Sequence, residues 1–187
     1  SLSSSVFINC TSLKKVTINS NITSIPQNFF TDCSSLETVV LPSTIKTVGS
    51  EAFSKCTNLS SIILPATVTS IGFRAFNGCS SLTSATVYGK VGNYAFDGCT
   101  NLQEIKFMDS SASISKSALG SSFTGTVYGY KGSTAETFAS ENGYKFALLD
   151  SDTPATTTAP PVTTVPITEP PTEPPTAPPT TTTTTTT

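Results

Sequence analysis

Apolar positions in the first hundred or so residues return in fixed columns. Take the five cysteines, Cys10, Cys33, Cys56, Cys79 and Cys99, as origins. Three residues before them stand Phe7, Phe30, Phe53, Phe76 and Phe96, and three after stand Leu13, Leu36, Leu59, Leu82 and Leu102. Six after come Val16, Val39, Ile62, Ala85 and Ile105; eight after come Ile18, Leu41, Leu64, Val87 and Phe107. Eight before come Leu2, Ile25, Val48, Ile71 and Val91. The first four cysteines are 23 residues apart and the last follows after 20. A period of this size marks a repeat whose units stack.

Within a unit, the positions six and eight after the cysteine alternate with polar neighbours, which predicts a short strand with one side inward. Pro42 and Pro65 end that strand, since proline donates no ladder hydrogen bond. The segment before each cysteine, such as Ile71-Gly-Phe-Arg-Ala-Phe-Asn-Gly, is too short for a long helix and predicts a turn or a single helical turn that lays Phe76 inward. One unit cannot bury its own apolar row, whereas stacked units build a continuous core. Their strands would lie in register about 4.8 Å apart as one parallel sheet. The short interval fits this scheme: Tyr88-Gly89-Lys90 replaces a six-residue connection while every core column is kept.

These columns, Leu-x-x-Ile-x-Leu-Pro followed by Val-x-x-Ile-x-x-x-Ala-Phe-x-x-Cys, resemble the BspA-type leucine-rich repeat over residues 1 to about 110. The resemblance implies an α/β solenoid: a curved stack with the parallel sheet on its concave side and short turns or 3₁₀ segments on its convex side.

A sixth, degenerate unit is expected near residues 114–122, where Ile114, Ala118 and Leu119 repeat the columns without a cysteine. A β-α-β cap follows at 124–149. Ser133-Thr-Ala-Glu136 reads as a capping box in which the serine and glutamate each satisfy the other's backbone donor. Ala135, Phe138 and Ala139 share one helical face, and Asn142-Gly143 supplies a left-handed stop. Similar Tyr-Gly-x-x-Gly-Ser-Thr-Ala-Glu endings close other BspA-type arrays. No comparable cap stands at the N-terminus, so further repeats or an upstream module are expected there. The repeat domain is thus placed at 1–149. Residues 150–187 are Thr and Pro with four acids, a composition that buries nothing. They predict a disordered linker of polyproline II character, with threonines open to O-glycosylation in a secreted stalk.

Charge and chemistry narrow the function. The repeat region holds 10 basic and 8 acidic residues with no basic run, which is no nucleic-acid footprint. No apolar run approaches the roughly 20 residues of a membrane span, so no membrane insertion is expected. The chain has no histidine, so Ser-His-Asp and Cys-His pairs and imidazole metal sites are ruled out. Glu37 and Glu104 stand three repeats apart, too far to act together on a glycosidic bond. No catalytic residue, cofactor or metal is expected. The cysteines, on a repeat beat and without a C-x-x-C, read as buried free thiols. In-register neighbours present parallel Cβ vectors, poor geometry for a disulfide.

What remains is binding, and the open sheet offers the surface. Its outward positions are Lys15 and Thr17, Thr38 and Val40, Ser61 and Ile63, Ser84 and Thr86, Glu104 and Lys106. Val40 beside Ile63 predicts a small exposed apolar patch flanked by Lys14 and Lys15. These strands put no aromatic on that face; Tyr88, Tyr128 and Tyr130 are expected to pack near the last rung. BspA-type proteins are often surface adhesins, so the resemblance implies a non-enzymatic extracellular or cell-surface module. It would be a monomer joined to further modules, with a protein or polysaccharide as its ligand. The other expectation is a spacer in a cellulosome-like secreted assembly whose activity lies elsewhere.

Overall fold

The computed structural model describes residues 6–19 and 21–149. Leu2 and the linker expected at 150–187 lie outside the described residues. Each coil contributes a strand from the columns after its cysteine. These are β1 (Lys15–Thr17), β3 (Thr38–Val40), β5 (Ser61–Ile63), β7 (Ser84–Val87) and β9 (Glu104–Phe107). The columns before the cysteine add two-residue strands: β2 (Ser24–Ile25), β4 (Thr47–Val48), β6 (Ser70–Ile71) and β8 (Lys90–Val91). The chain closes with β10 (Thr126–Gly129), α1 (Thr134–Asn142) and β11 (Lys145–Leu148).

All the pairings are parallel, and the register repeats the sequence period, with Val16 beside Val39, Ile62 beside Ala85, and Ala85 beside Ile105. Two departures from the expected single sheet stand out. The column eight before the cysteine builds a second sheet, β2-β4-β6-β8, extended by a bridge from Val91 to Ile114. The first sheet is divided into β1-β3 and β5-β7-β9-β10-β11. The division coincides with a change beneath it: Val16 and Val39 are half-buried, whereas Ile62, Ala85 and Ile105 are sealed.

The seam between coils is the most regular part. Phe7, Phe30, Phe53, Phe76 and Phe96 stack ring on ring, with centroids 5.1–5.4 Å apart and planes within 19°. This offset parallel stacking adds to the area each ring buries. The Phe amides donate to the next coil, as in Phe53 N to Ala75 O at 2.8 Å and Phe76 N to Ala95 O at 2.8 Å. The thiols point the other way. Cys33, Cys56, Cys79 and Cys99 donate to the carbonyls of Phe7, Phe30, Phe53 and Phe76, at 3.0–3.2 Å. The cysteines are therefore more than apolar plugs. Each adds a second donor to a carbonyl that already accepts from the cysteine amide three residues on, as Phe30 O does from Cys33 N at 3.2 Å.

All five cysteines are free. Four are buried, but Cys10 is only half-buried, contrary to the expectation of five sealed thiols. It lies in the first described coil, with a described neighbour on one side only. Close stacking also sets residue size. A Cβ on Gly49 would stand 2.6 Å from Gln27 N, and one on Gly72 2.6 Å from Ser50 N. Only a residue without a side chain lets those backbones approach.

The sixth coil forms as the columns require. Ala118 and Leu119 are buried, and Phe96 N donates to Ala118 O at 2.9 Å. Its strand is β10, with Val127 beside Ile105. Helix α1 buries Ala135, Phe138 and Ala139, and ends at Gly143 with φ 71°. Glu136 N donates to Ser133 Oγ at 3.3 Å, one half of the expected box. The other half differs: Glu136 Oε2 accepts from Gly132 N at 2.6 Å, because Ser133 N is already bonded to Tyr130 O.

Candidate binding surface

Alternation along β5, β7, β9, β10 and β11 puts two rows of side chains on the sheet's outward face. One row is Ser61, Ser84, Glu104, Thr126 and Lys145; the other is Ile63, Thr86, Lys106, Tyr128 and Ala147. The earlier pair supplies Lys15 beside Thr38 and Thr17 beside Val40. All ten residues singled out in the sequence thus sit on outward strand positions. Lys15, Thr38, Ser61 and Ile63 are exposed; Thr17, Val40, Ser84, Thr86, Glu104 and Lys106 are half-buried.

The apolar feature of this face is Ile63, 74% exposed. Val40 is half-buried, and no ladder joins its strand to β5. The aromatic feature is Tyr128, which sequence reasoning assigned to the end of the stack. The sixth coil has no cysteine, so the columns set by the cysteines do not reach its strand. In the structure Tyr128 continues the Ile63-Thr86-Lys106 row, and Lys106 Nζ lies 5.7 Å from its ring centre. Lys106 also pairs with Glu104 at 3.7 Å. Both side chains keep 41–45% of their surface exposed to water, so the ion pair contributes about 1 kcal/mol or less.

Away from the sheet, Phe73 and Tyr94 are each 40% exposed and meet edge to face at 6.1 Å, with the Arg74 guanidinium 4.9 Å from the Phe73 ring. Phe73 occupies the turn position that holds Ser50 one coil earlier, and Tyr94 the position that holds Arg74 one coil earlier and Glu51 two coils earlier. The core columns do not include these positions; their signal in the sequence is a polar turn segment interrupted by two rings.

Titratable groups in the interior are set for packing. Burial pushes the Cys33 thiol up to about 11. Cys56 is raised further by the same cause, and Cys79 is raised by the adjacent Cys99 thiol and by burial. Such thiols stay protonated at neutral pH and are poor nucleophiles. Burial also raises the phenols of Tyr88 and Tyr144, with Tyr130 adding to the effect at Tyr88. Among the described residues no group of three His, Cys, Asp or Glu side chains is placed to hold a metal ion. No helix there is long and apolar enough to cross a membrane.

Parallel coils on a 23-residue period, one leucine column and an open sheet define a leucine-rich repeat solenoid. The BspA type leucine rich repeat region matches residues 1–126 in six copies, and the chain belongs to that family. Solved structures agree. A leucine-rich repeat protein from Bacteroides ovatus is 33% identical with a TM-score of 0.56; the match covers 78% of this chain and 32% of that one. The pneumococcal vaccine antigen PcpA is 24% identical with a TM-score of 0.67, over 78% of this chain and 38% of its own. The T. pallidum leucine rich repeat protein shares the fold at 22% identity and a TM-score of 0.56, with 77% of each chain covered. The chain thus spans about a third of the Bacteroides ovatus protein. No curated protein matches it.

Proposed function

We propose that the chain is a non-enzymatic, extracellular module that binds a protein ligand on the outward face of its sheet. The observation that carries this reading is the row Ile63-Thr86-Lys106-Tyr128, an exposed aliphatic residue and a tyrosine–lysine pair on one rigid ladder. A stack of repeats offers an extended surface at no conformational cost, and tyrosine with a cation beside it is a frequent anchor in protein contacts. Membership of the BspA-type family supports a cell-surface setting.

The test is surface plasmon resonance of the full chain over immobilised fibronectin and fibrinogen. We expect saturable binding to at least one of them, weakened about 10-fold or more in Ile63→Asp/Tyr128→Ala, a loss of 1.4 kcal/mol or more. Binding that survives both substitutions places the contact elsewhere. No binding to either protein removes the matrix-adhesin reading.

A further inference from the structure

The shortened connection leaves a feature that the repeat itself explains. In this stack a threonine hydroxyl from one coil closes the carbonyls of the loop before it. Thr44 Oγ1 donates to Ile22 O at 2.7 Å. Thr67 Oγ1 stands 2.7 Å from both Ser43 O and Ile45 O. At the far end Thr134 Oγ1, from the first turn of α1, does the same for Ala112 O at 2.7 Å and Ser110 O at 3.4 Å. The carbonyls next in line after Thr67's own are Ala66 O and Val68 O. The residue that would meet them falls in the three positions missing from Tyr88-Gly89-Lys90, and among the described residues no donor reaches either oxygen.

The same shortening opens a groove of about 360 Å³ between the flanking loops. Tyr88, Gly89 and Lys90 lie between walls made by Ala66, Val68 and Thr69 on one side and the 109–113 loop on the other. The six-residue connections at 65–70 and 108–113 stand on either side of a three-residue one.

We propose that this groove binds a neutral saccharide, with one sugar hydroxyl set between Ala66 O and Val68 O as Thr67 Oγ1 is set between Ser43 O and Ile45 O. The chemistry of the lining selects that class. Two carbonyls and the free oxygen of the Asp109 carboxylate accept, and the Lys90 ammonium donates. The Ser113 hydroxyl does both, and the Ser111 hydroxyl, which gives its hydrogen to Asp109 Oδ1 at 2.9 Å, still accepts, so the ligand must donate and accept several times over. One cation and one anion cancel, which leaves no net charge to hold a phosphate or a carboxylate. Tyr88 supplies an apolar ring with a polar tip, suited to the mixed faces of a sugar. The volume falls near the small end of ligand sites, about 300–1,000 Å³, which suits one or two rings. This site is separate from the protein-binding face, and either can fail alone.

The experiment is a ¹⁵N–¹H NMR titration of the full chain with maltose, cellobiose and lactose. At least one should give saturable shifts centred on residues 66–69, 88–90 and 109–113, with Kd on the order of 1–10 mM as expected for a small open site. Two variants carry the assignment. One replaces Tyr88-Gly89-Lys90 with Pro-Ala-Thr-Val-Thr-Ser, the connection at 65–70, which restores the full repeat length and the threonine. The other is Ser113→Trp, at an exposed position on the groove wall. Both should keep a dispersed spectrum and lose the sugar shifts. No saturable shift with any of the three sugars overturns the proposal, as do shifts centred elsewhere or shifts that persist in both variants. A response to arginine methyl ester stronger than to every sugar also overturns it, in favour of a basic peptide.

Discussion

The seam and the sheet face are built from the same coils, yet they obey different rules. Along the seam one residue type recurs at each level: Phe on Phe, Cys behind Cys, with hydrogen bonds repeated at nearly the same lengths. On the outward face the same register brings together Ile63, Thr86, Lys106 and Tyr128, four side chains with nothing in common. The seam must repeat because each coil packs only on its neighbours, and a misfit is felt at two interfaces at once. The face meets solvent, so each coil is free to differ there. Stability therefore concentrates in the monotonous columns, and individuality in the positions between them.

The strongest way to break this contrast is Phe53→Ala. Phe53 is fully buried between two stacked rings, so its loss should cost about 3–5 kcal/mol in urea unfolding. Phe7→Ala, at a half-buried ring of the first described coil, should cost distinctly less. Equal costs would mean that the stack does not transmit burial along its length.

Next comes the thiol, where the donor can be separated from the volume. Cys56→Val keeps the space filled but leaves Phe30 O with Cys33 N as its remaining donor, and should cost about 1 kcal/mol. In Cys56→Ser a hydroxyl can still reach that carbonyl, so its cost should be the smaller by thermal melting. The reverse order would reduce the S–H bond to a by-product of packing.

A smaller effect sharpens the same point through pH. Cys33 holds its proton to about pH 11 in the folded chain, while an unfolded thiol loses it near 9. The folded form thus binds more protons between those values, and stability must fall as pH rises through them. Urea midpoints should be level from neutral pH to about 9 and decline above it, with a shallower decline in Cys33→Ala. A midpoint that holds to pH 11 would mean the thiol is not sealed. At the bottom of the scale, Ile63→Asp, already part of the binding test, should change stability by about 0.5 kcal/mol or less, as expected at an exposed site.

The columns that fix the seam were legible because burial imposes them on every unit. Phe, Cys and Leu recur, and the structure stacks them as they recur. The second sheet was not legible. A two-residue strand such as Thr47–Val48 has no alternation to read, and its apolar residue is explained equally well by a turn. The division between β3 and β5 leaves no mark either, since Val39 and Ile62 are both good core residues on paper. Tyr128 was hidden by its coil's missing cysteine. The groove was hidden differently: three absent residues are visible in the sequence, but the carbonyls they leave open can be known only once Thr67 and Thr134 are seen closing theirs.

In the seam, the amides of Phe30, Phe53, Phe76 and Phe96 each reach only the adjoining coil, at Ala52, Ala75, Ala95 and Ala118. No strut runs from the first rung to the last. A pull on the two ends is consequently carried in series, one rung handing the load to the next, and the domain would give way from an end like a zip fastener, leaving the teeth further in still closed.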